Sequence, residues 1–234
     1  MEAIILAGVH HTALARQLLK QARLPVVETF ELTNDPVDIN IGMSQEDAGH
    51  AATMHLIERG YRRISFMTGN FDPRAKSRHA GYLRAVEEAG LVSQASISPE
   101  PRQSSIALGT QLGRFLLEAG DLPEALFCTD DNIALGATQA CLKKGIRVPE
   151  DIAIIGFHDL EFAAYASPSL STIATYRYET GRLAAEKVIA ALQGAHGSEA
   201  CRIDTGFALV ERESTLGRGW DRQDEARHDE VMAK

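Results

Sequence analysis

Cysteine, tryptophan and basic clusters are scarce in this chain, and each scarcity excludes something. Three cysteines among 234 residues (Cys128, Cys141 and Cys201) are too few and too scattered for a disulfide framework or a zinc cluster. No apolar run approaches the roughly 20 residues that span a bilayer, so no membrane partner is expected. The opening MEAIILAGVHH has neither the basic region nor the small-residue cleavage site of a secretory signal, which makes a cytoplasmic protein the expectation. Lys and Arg number 24 against 32 Asp and Glu, a net charge of −8, and they form no cluster of the kind that grips a phosphate backbone. Nucleic-acid binding by this chain alone is therefore not expected. Neither GxxxxGK(S/T) nor GxGxxG occurs, and no serine sits in a G-x-S-x-G elbow.

What is present is an ordinary globular composition, 44% hydrophobic and 24% charged, arranged in a steady rhythm. Short apolar runs over 3–7, 25–27, 64–67, 125–128, 152–157 and 171–174 read as strands, the first of them buried. Helix-period segments over 14–22, 47–59, 77–89, 106–119, 132–144 and 180–192 alternate with them, and glycine stands at the end of most, including Gly60, Gly90, Gly120, Gly145 and Gly194. Buried strands alternating with helices predict an α/β fold with doubly wound parallel sheet covered on both faces. Residues 218–234 are polar with little periodicity and are expected to form a disordered tail.

Ligands of such sheets sit beyond the carboxyl ends of the strands. That rule selects His10 and His11, residues 68–78, residues 129–132, and His158 with Asp159. Adjacent histidines without a nearby Cys or carboxylate at ligand spacing are not expected to bind a metal, and pocket or exposed loop are both open for them. Arg74 and Arg78 lie one helical turn apart, which suits an anionic ligand held by guanidinium groups, or else a solvated basic face. Asp130 and Asp131 stand where a helix begins. One of them suffices as an N-cap, which leaves the other free to face a ligand. His158 and Asp159 invite thoughts of a triad, but neighbours in an extended chain point apart and no activated nucleophile accompanies them. The set reads as binding more than chemistry: no enzyme, no metal and no cofactor.

The same residues carry a resemblance. The stretch over 125–173 resembles the effector-binding core of the LacI/GalR family of bacterial transcriptional repressors. Its marks are DDNIALGA (131–138), the Gly145-Ile-Arg-Val-Pro149 turn, Ile155-Gly-Phe157 and Pro168-x-Leu170-x-Thr172-Ile173. Asp47-x-Gly49, Gly60-Tyr-Arg-Arg-Ile64 and Arg78-x-x-Gly81-Tyr82-x-x-Ala85 extend it upstream, and VVETFELTNDPVDINIGMSQEDAG with GFHD gives it the look of the gluconate-responsive branch. The resemblance implies two α/β subdomains like those of a periplasmic sugar-binding protein, over 1–43 plus 174–203 and 44–173 plus 204–217, the first incomplete. It implies an effector in the cleft between them, held by Arg78, Asp130, His158 and Asp159, to which the strand-end rule adds Arg74 and His10. His158 stands where relatives carry an aspartate, and Arg74 where they often carry a small polar residue. Both changes remove negative charge or add positive charge, as a sugar acid requires; D-gluconate is the expected effector. The family's helix-turn-helix and first βαβ unit have no counterpart before Met1, so operator DNA would be reached only through an element absent here. A homodimer is implied for the intact protein. A free-standing solute-binding protein and an enzyme of sugar-acid metabolism are the alternatives.

Overall fold

The computed structural model describes residues 2–98, 101–194 and 201–217; the expected tail lies outside them. In chain order the elements are β1 (Ile4–Leu6), α1 (Ala13–Gln21), β2 (Val26–Glu31), β3 (Ile39–Met43), α2 (Gln45–Glu58), β4 (Ile64–Met67), α3 (Pro73–Glu88), α4 (Ile106–Ala119) and β5 (Ala125–Cys128). After these come α5 (Asp131–Lys143), β6 (Ala153–Ile155), α6 (Glu161–Tyr165), β7 (Thr172–Ala174), α7 (Arg177–Leu192), β8 (Cys201–Asp204), β9 (Ala208–Val210) and a 3-10 turn at Glu213–Thr215.

The strands form two parallel sheets and one antiparallel pair. The first sheet runs β1-β2-β3-β8 and the second β4-β5-β6, parallel throughout. β7 and β9 pair antiparallel, with Ile173 opposite Leu209. The α/β expectation with parallel sheets therefore holds. Every residue of β4, β5 and β6 is buried, because α2 and α3 pack together and so do α4 and α5, and their apolar clusters occupy the second sheet's two faces. The α2–α3 contact is close enough to demand glycine. A Cβ at Gly81 would lie 2.0 Å from the Glu46 carbonyl oxygen, and one at Gly49 would lie 2.3 Å from that of Arg78. Gly120, at φ +79°, ends α4 in the left-handed conformation that only glycine adopts without steric cost.

The chain passes between the two sheets three times: from β3 into α2, from β7 into α7, and from β8 to β9. The first and last passages are tied, since Thr205 donates both its N–H (2.8 Å) and its hydroxyl (3.1 Å) to the Gly42 carbonyl.

Four sequence expectations need correction. β1 is not buried: among the described residues it pairs only with β2, at the end of its sheet, and Ile5 is 54% exposed. α3 begins at Pro73 rather than 77, because Asp72 accepts the Ala75 N–H and Pro73 supplies a first helical residue with its φ already set. The strand over 171–174 pairs antiparallel with a late segment instead of extending a parallel sheet. β3, β8, β9 and α6 had no sequence counterpart.

Candidate functional site

Loops at the carboxyl ends of β4, β5 and β6 enclose a cavity of about 350 Å³, the size of a small-molecule site. After β4, the Thr68 hydroxyl donates to the Asn70 carbonyl at 2.8 Å, closing a tight turn that leads to Asp72 and α3. After β5, Asp130 caps α5, one carboxylate oxygen accepting the N–H groups of Asn132 (2.9 Å) and Ile133 (3.0 Å). After β6, His158 and Asp159 adopt φ of +106° and +52°, conformations uncommon outside glycine. The N–H of His158 is held by the Ile173 carbonyl at 2.8 Å.

Arg78 is the most constrained of the cavity's charged groups. Its backbone lies against Gly49, its Nε donates to Gln45 Oε1 (2.8 Å) and its Nη1 to the Thr129 carbonyl, while the guanidinium carbon stacks 3.9 Å from the centre of the Phe157 ring. Nη2 has no acceptor among the described residues. Burial, then the neighbouring Arg74, lowers its pKa to about 10, so the cation persists at neutral pH. Arg74, one turn earlier, makes no ion pair or hydrogen bond with any described residue. Sequence reasoning missed a third guanidinium. Arg102 reaches the rim because its N–H donates to the Gly69 carbonyl at 3.0 Å, and among the described residues its side chain hydrogen-bonds only the amide oxygen of Gln111. Burial, then Arg78, Arg177 and Arg74, holds the His158 imidazole well below its ordinary pKa, so it is neutral beside these cations.

The structure thus brings Arg74, Arg78, Asp130 and His158 to one cavity, with Asp72 at its edge. It does not bring Asp159 there. That carboxylate turns to Arg212, 2.9 Å away, and the same arginine donates to the Leu170 carbonyl. Nor is the second aspartate of the helix start free for a ligand. Asp131 is wholly buried and accepts the Thr172 hydroxyl (2.7 Å) and the Leu160 N–H (2.7 Å); burial raises its pKa to about 6. The capping residue Asp130 is the one that faces the cavity.

His10 lines an adjoining cavity of about 400 Å³ at the carboxyl ends of β1 and β2, together with Gly8, His11 and Glu31. Asp72 and Arg74 line both cavities, so the two lie side by side. A larger groove of about 580 Å³, between α4 and residues 94–98, is mainly apolar and gathers no cations; its chemistry does not suit a polar ligand. Among the described residues no three His, Cys, Asp or Glu side chains are placed to hold a metal ion, and no helix is long and apolar enough to cross a membrane.

Parallel sheets on either side of a polar cleft, crossed by three chain passages, define a solute-binding architecture. The periplasmic binding protein-like domain matches residues 53–215, and the chain belongs to that family, as the effector-binding core of a LacI-family regulator. It is 36% identical over 212 residues to the HTH-type transcriptional regulator GntR of Pseudomonas aeruginosa, covering 91% of this chain and 62% of the relative. It is 33% identical over 211 residues to the regulator IdnR of Escherichia coli, covering 89% and 62%. The solved structure of the regulator GntR from Chromobacterium violaceum superposes with a TM-score of 0.82 at 36% identity, covering 92% of this chain and 78% of that one. This chain therefore spans about three fifths of the length of these curated relatives. They are transcription regulators and not enzymes, in agreement with the binding reading of the residues.

Proposed function

We propose that this chain senses a sugar acid, D-gluconate first, in the cleft between two subdomains, and that in its regulator the bound effector shifts the balance between DNA-competent and released forms. One observation carries the reading: Arg74, Arg78 and Arg102 surround one cavity and none has a carboxylate partner among the described residues. Unpaired guanidinium groups beside a neutral imidazole favour an anion, and a neutral sugar would leave them uncompensated. Asp130 and His10 supply hydrogen-bonding partners for hydroxyl groups, and Asp159 acts indirectly, by fixing the turn that carries His158. The subdomain division at 1–43 plus 174–203 and 44–173 plus 204–217 is supported by β8 pairing with β3 and by α7 packing on β2 and β3. A cytoplasmic homodimer contacting operator DNA through a helix-turn-helix completes the proposal for the whole regulator.

The test is a thermal melt of the chain with D-gluconate, with glucose as the neutral control, followed by titration calorimetry. A transition raised by gluconate and not by glucose is expected, because a ligand specific to the native state stabilises it. Arg74→Ala should weaken gluconate binding roughly tenfold or more, the usual cost of a lost charged hydrogen bond. Unchanged affinity would remove Arg74 from the site, and a melt insensitive to every sugar acid would overturn the reading.

A further inference from the structure

Two carboxylates sit three residues apart on β2, both out of solvent, and their surroundings differ. Glu28 is fully satisfied: one oxygen meets His11 Nε2 at 2.7 Å and the other accepts the Val37 N–H at 2.7 Å. Glu31 is as deeply placed, its side chain 6% exposed, yet its oxygens have only long contacts. The Val9 N–H lies 3.4 Å from one and the half-exposed His10 imidazole 3.2 Å from the other. Contacts to an ionised carboxylate normally close to between about 2.7 and 2.9 Å, and a buried charge left short of partners is costly. Glu31 is therefore under-satisfied, and its open side is the cavity shared with Arg74.

The backbone is bent to hold it there. Phe30 has φ +77°, a left-handed conformation that an aromatic residue adopts only under strain. Its partner in register is Gly42, where a Cβ would lie 2.4 Å from the Glu31 nitrogen, so only glycine lets the kink close. The Phe30 carbonyl accepts the Gln45 amide N–H at 2.9 Å, and the other end of that amide holds Arg78. One buried glutamine thus ties the guanidinium on the second sheet's side of the cleft to the strained turn that presents Glu31 on the first.

We propose that Glu31 accepts hydroxyl groups at the end of the effector away from its carboxylate, and thereby selects a ligand charged at one end only. The proposal rests on the sugar-acid reading above. A hydroxyl donates to a carboxylate in a short, charge-assisted bond, which would satisfy the oxygens that the protein leaves loose. A phosphate at the same end would bring like charge against Glu31 in a cleft partly removed from water, where repulsion is stronger than in bulk solvent.

The experiment is calorimetric titration of the full chain and its Glu31→Gln and Glu28→Gln variants with D-gluconate and with 6-phosphogluconate, at one pH and ionic strength. The wild type should prefer gluconate by tenfold or more. Glu31→Gln should lose roughly tenfold in gluconate affinity, the cost of replacing a charged acceptor by a neutral one, and should narrow or invert the preference. Glu28→Gln should lower the melting temperature and leave the preference alone. A Glu31→Gln protein that binds gluconate with the wild-type preference overturns the proposal while leaving the sugar-acid reading intact. If that variant fails to fold, the wild type decides: equal or tighter binding of 6-phosphogluconate overturns it. Binding of neither ligand removes the sugar-acid reading and this inference together.

Discussion

Among the described residues, clusters of seventeen and fifteen buried residues fill the two faces of the second sheet; around the first, the cluster is Val27, Ile39, Ile41 and Ala184. The helices show the same contrast. α1 buries none of its residues, leaving Leu14 66% and Leu18 57% exposed, whereas α2 and α5 each bury half or more of theirs. Apolar burial is the dominant favourable term in folding, so most of the stability must reside in the second sheet and its helices. The binding groups are distributed differently. Both sheets contribute polar side chains to the cleft, and the weakly cored side supplies Glu31 and His10. Elements that move in ligand binding are drawn from the less stable parts of a fold, and the first sheet fits that description.

The comparison can be broken by substitution. The largest effect is expected for Gly81→Ala, which forces a methyl against backbone in the α2–α3 contact. Overpacking that cannot be relieved by a side-chain rotation should cost about 3 kcal/mol or more, read as a fall in denaturant midpoint. A loss under 1 kcal/mol would mean that the helix pair is looser than it looks.

Acid should act on the same well-cored side. His55 of α2 is 3% exposed and bonded to the Thr215 hydroxyl at 2.8 Å; burial lowers its pKa to about 4 against 6.5 in an unfolded chain. Above pH 6.5 the imidazole is neutral in both states. As pH falls from 6.5 to 4 the unfolded chain takes up a proton that the folded one refuses, and about 3 kcal/mol is lost. Asp131, with its raised pKa, works in the opposite direction from about pH 6 downward, so the effect is read as a difference between wild type and His55→Gln. The variant should lack that part of the acid slope; identical slopes would sink the assignment.

The smallest effects belong to the first sheet. Ile41→Val should cost about 1 kcal/mol, the loss of one buried methyl group. Leu18→Ser, on an exposed helix face, should stay within about 0.5 kcal/mol. A large loss at Leu18 would show that α1 is covered in solution, and the contrast between the two sheets would then be smaller than the chain alone suggests.

Where local pattern is strong, the elements were legible before any coordinates. β4, β5 and α4 fall on their expected residues, since continuous apolar runs and a closing glycine leave few alternatives. β3 escaped notice because Asn40 and Gly42 interrupt its apolar run, although both face demands from β2: Asn40 Nδ2 donates to the Glu31 carbonyl and Gly42 admits the Phe30 kink. In the cavity, Arg74 and Arg78 were visible by spacing. Arg102 was not, because it lies in a stretch without periodicity and is placed by one long-range backbone bond. Asp159 was expected in the cavity and is instead taken by Arg212, 53 residues later, a pairing with no local signal. Glu31 carries no local signal of its own; the left-handed Phe30 before it is what turns it out of solvent.

The three passages between the sheets also set what kind of motion the cleft allows. A single connecting strand acts as a swivel, about which two bodies may turn in any direction. Three strands, two of them pinned together where Thr205 meets Gly42, act as the leaf of a door hinge. They bend readily across their common line and resist twist and slide. Opening and closing is then close to a one-dimensional coordinate, and any ligand that bridges the two faces of the cleft locks all of it at once.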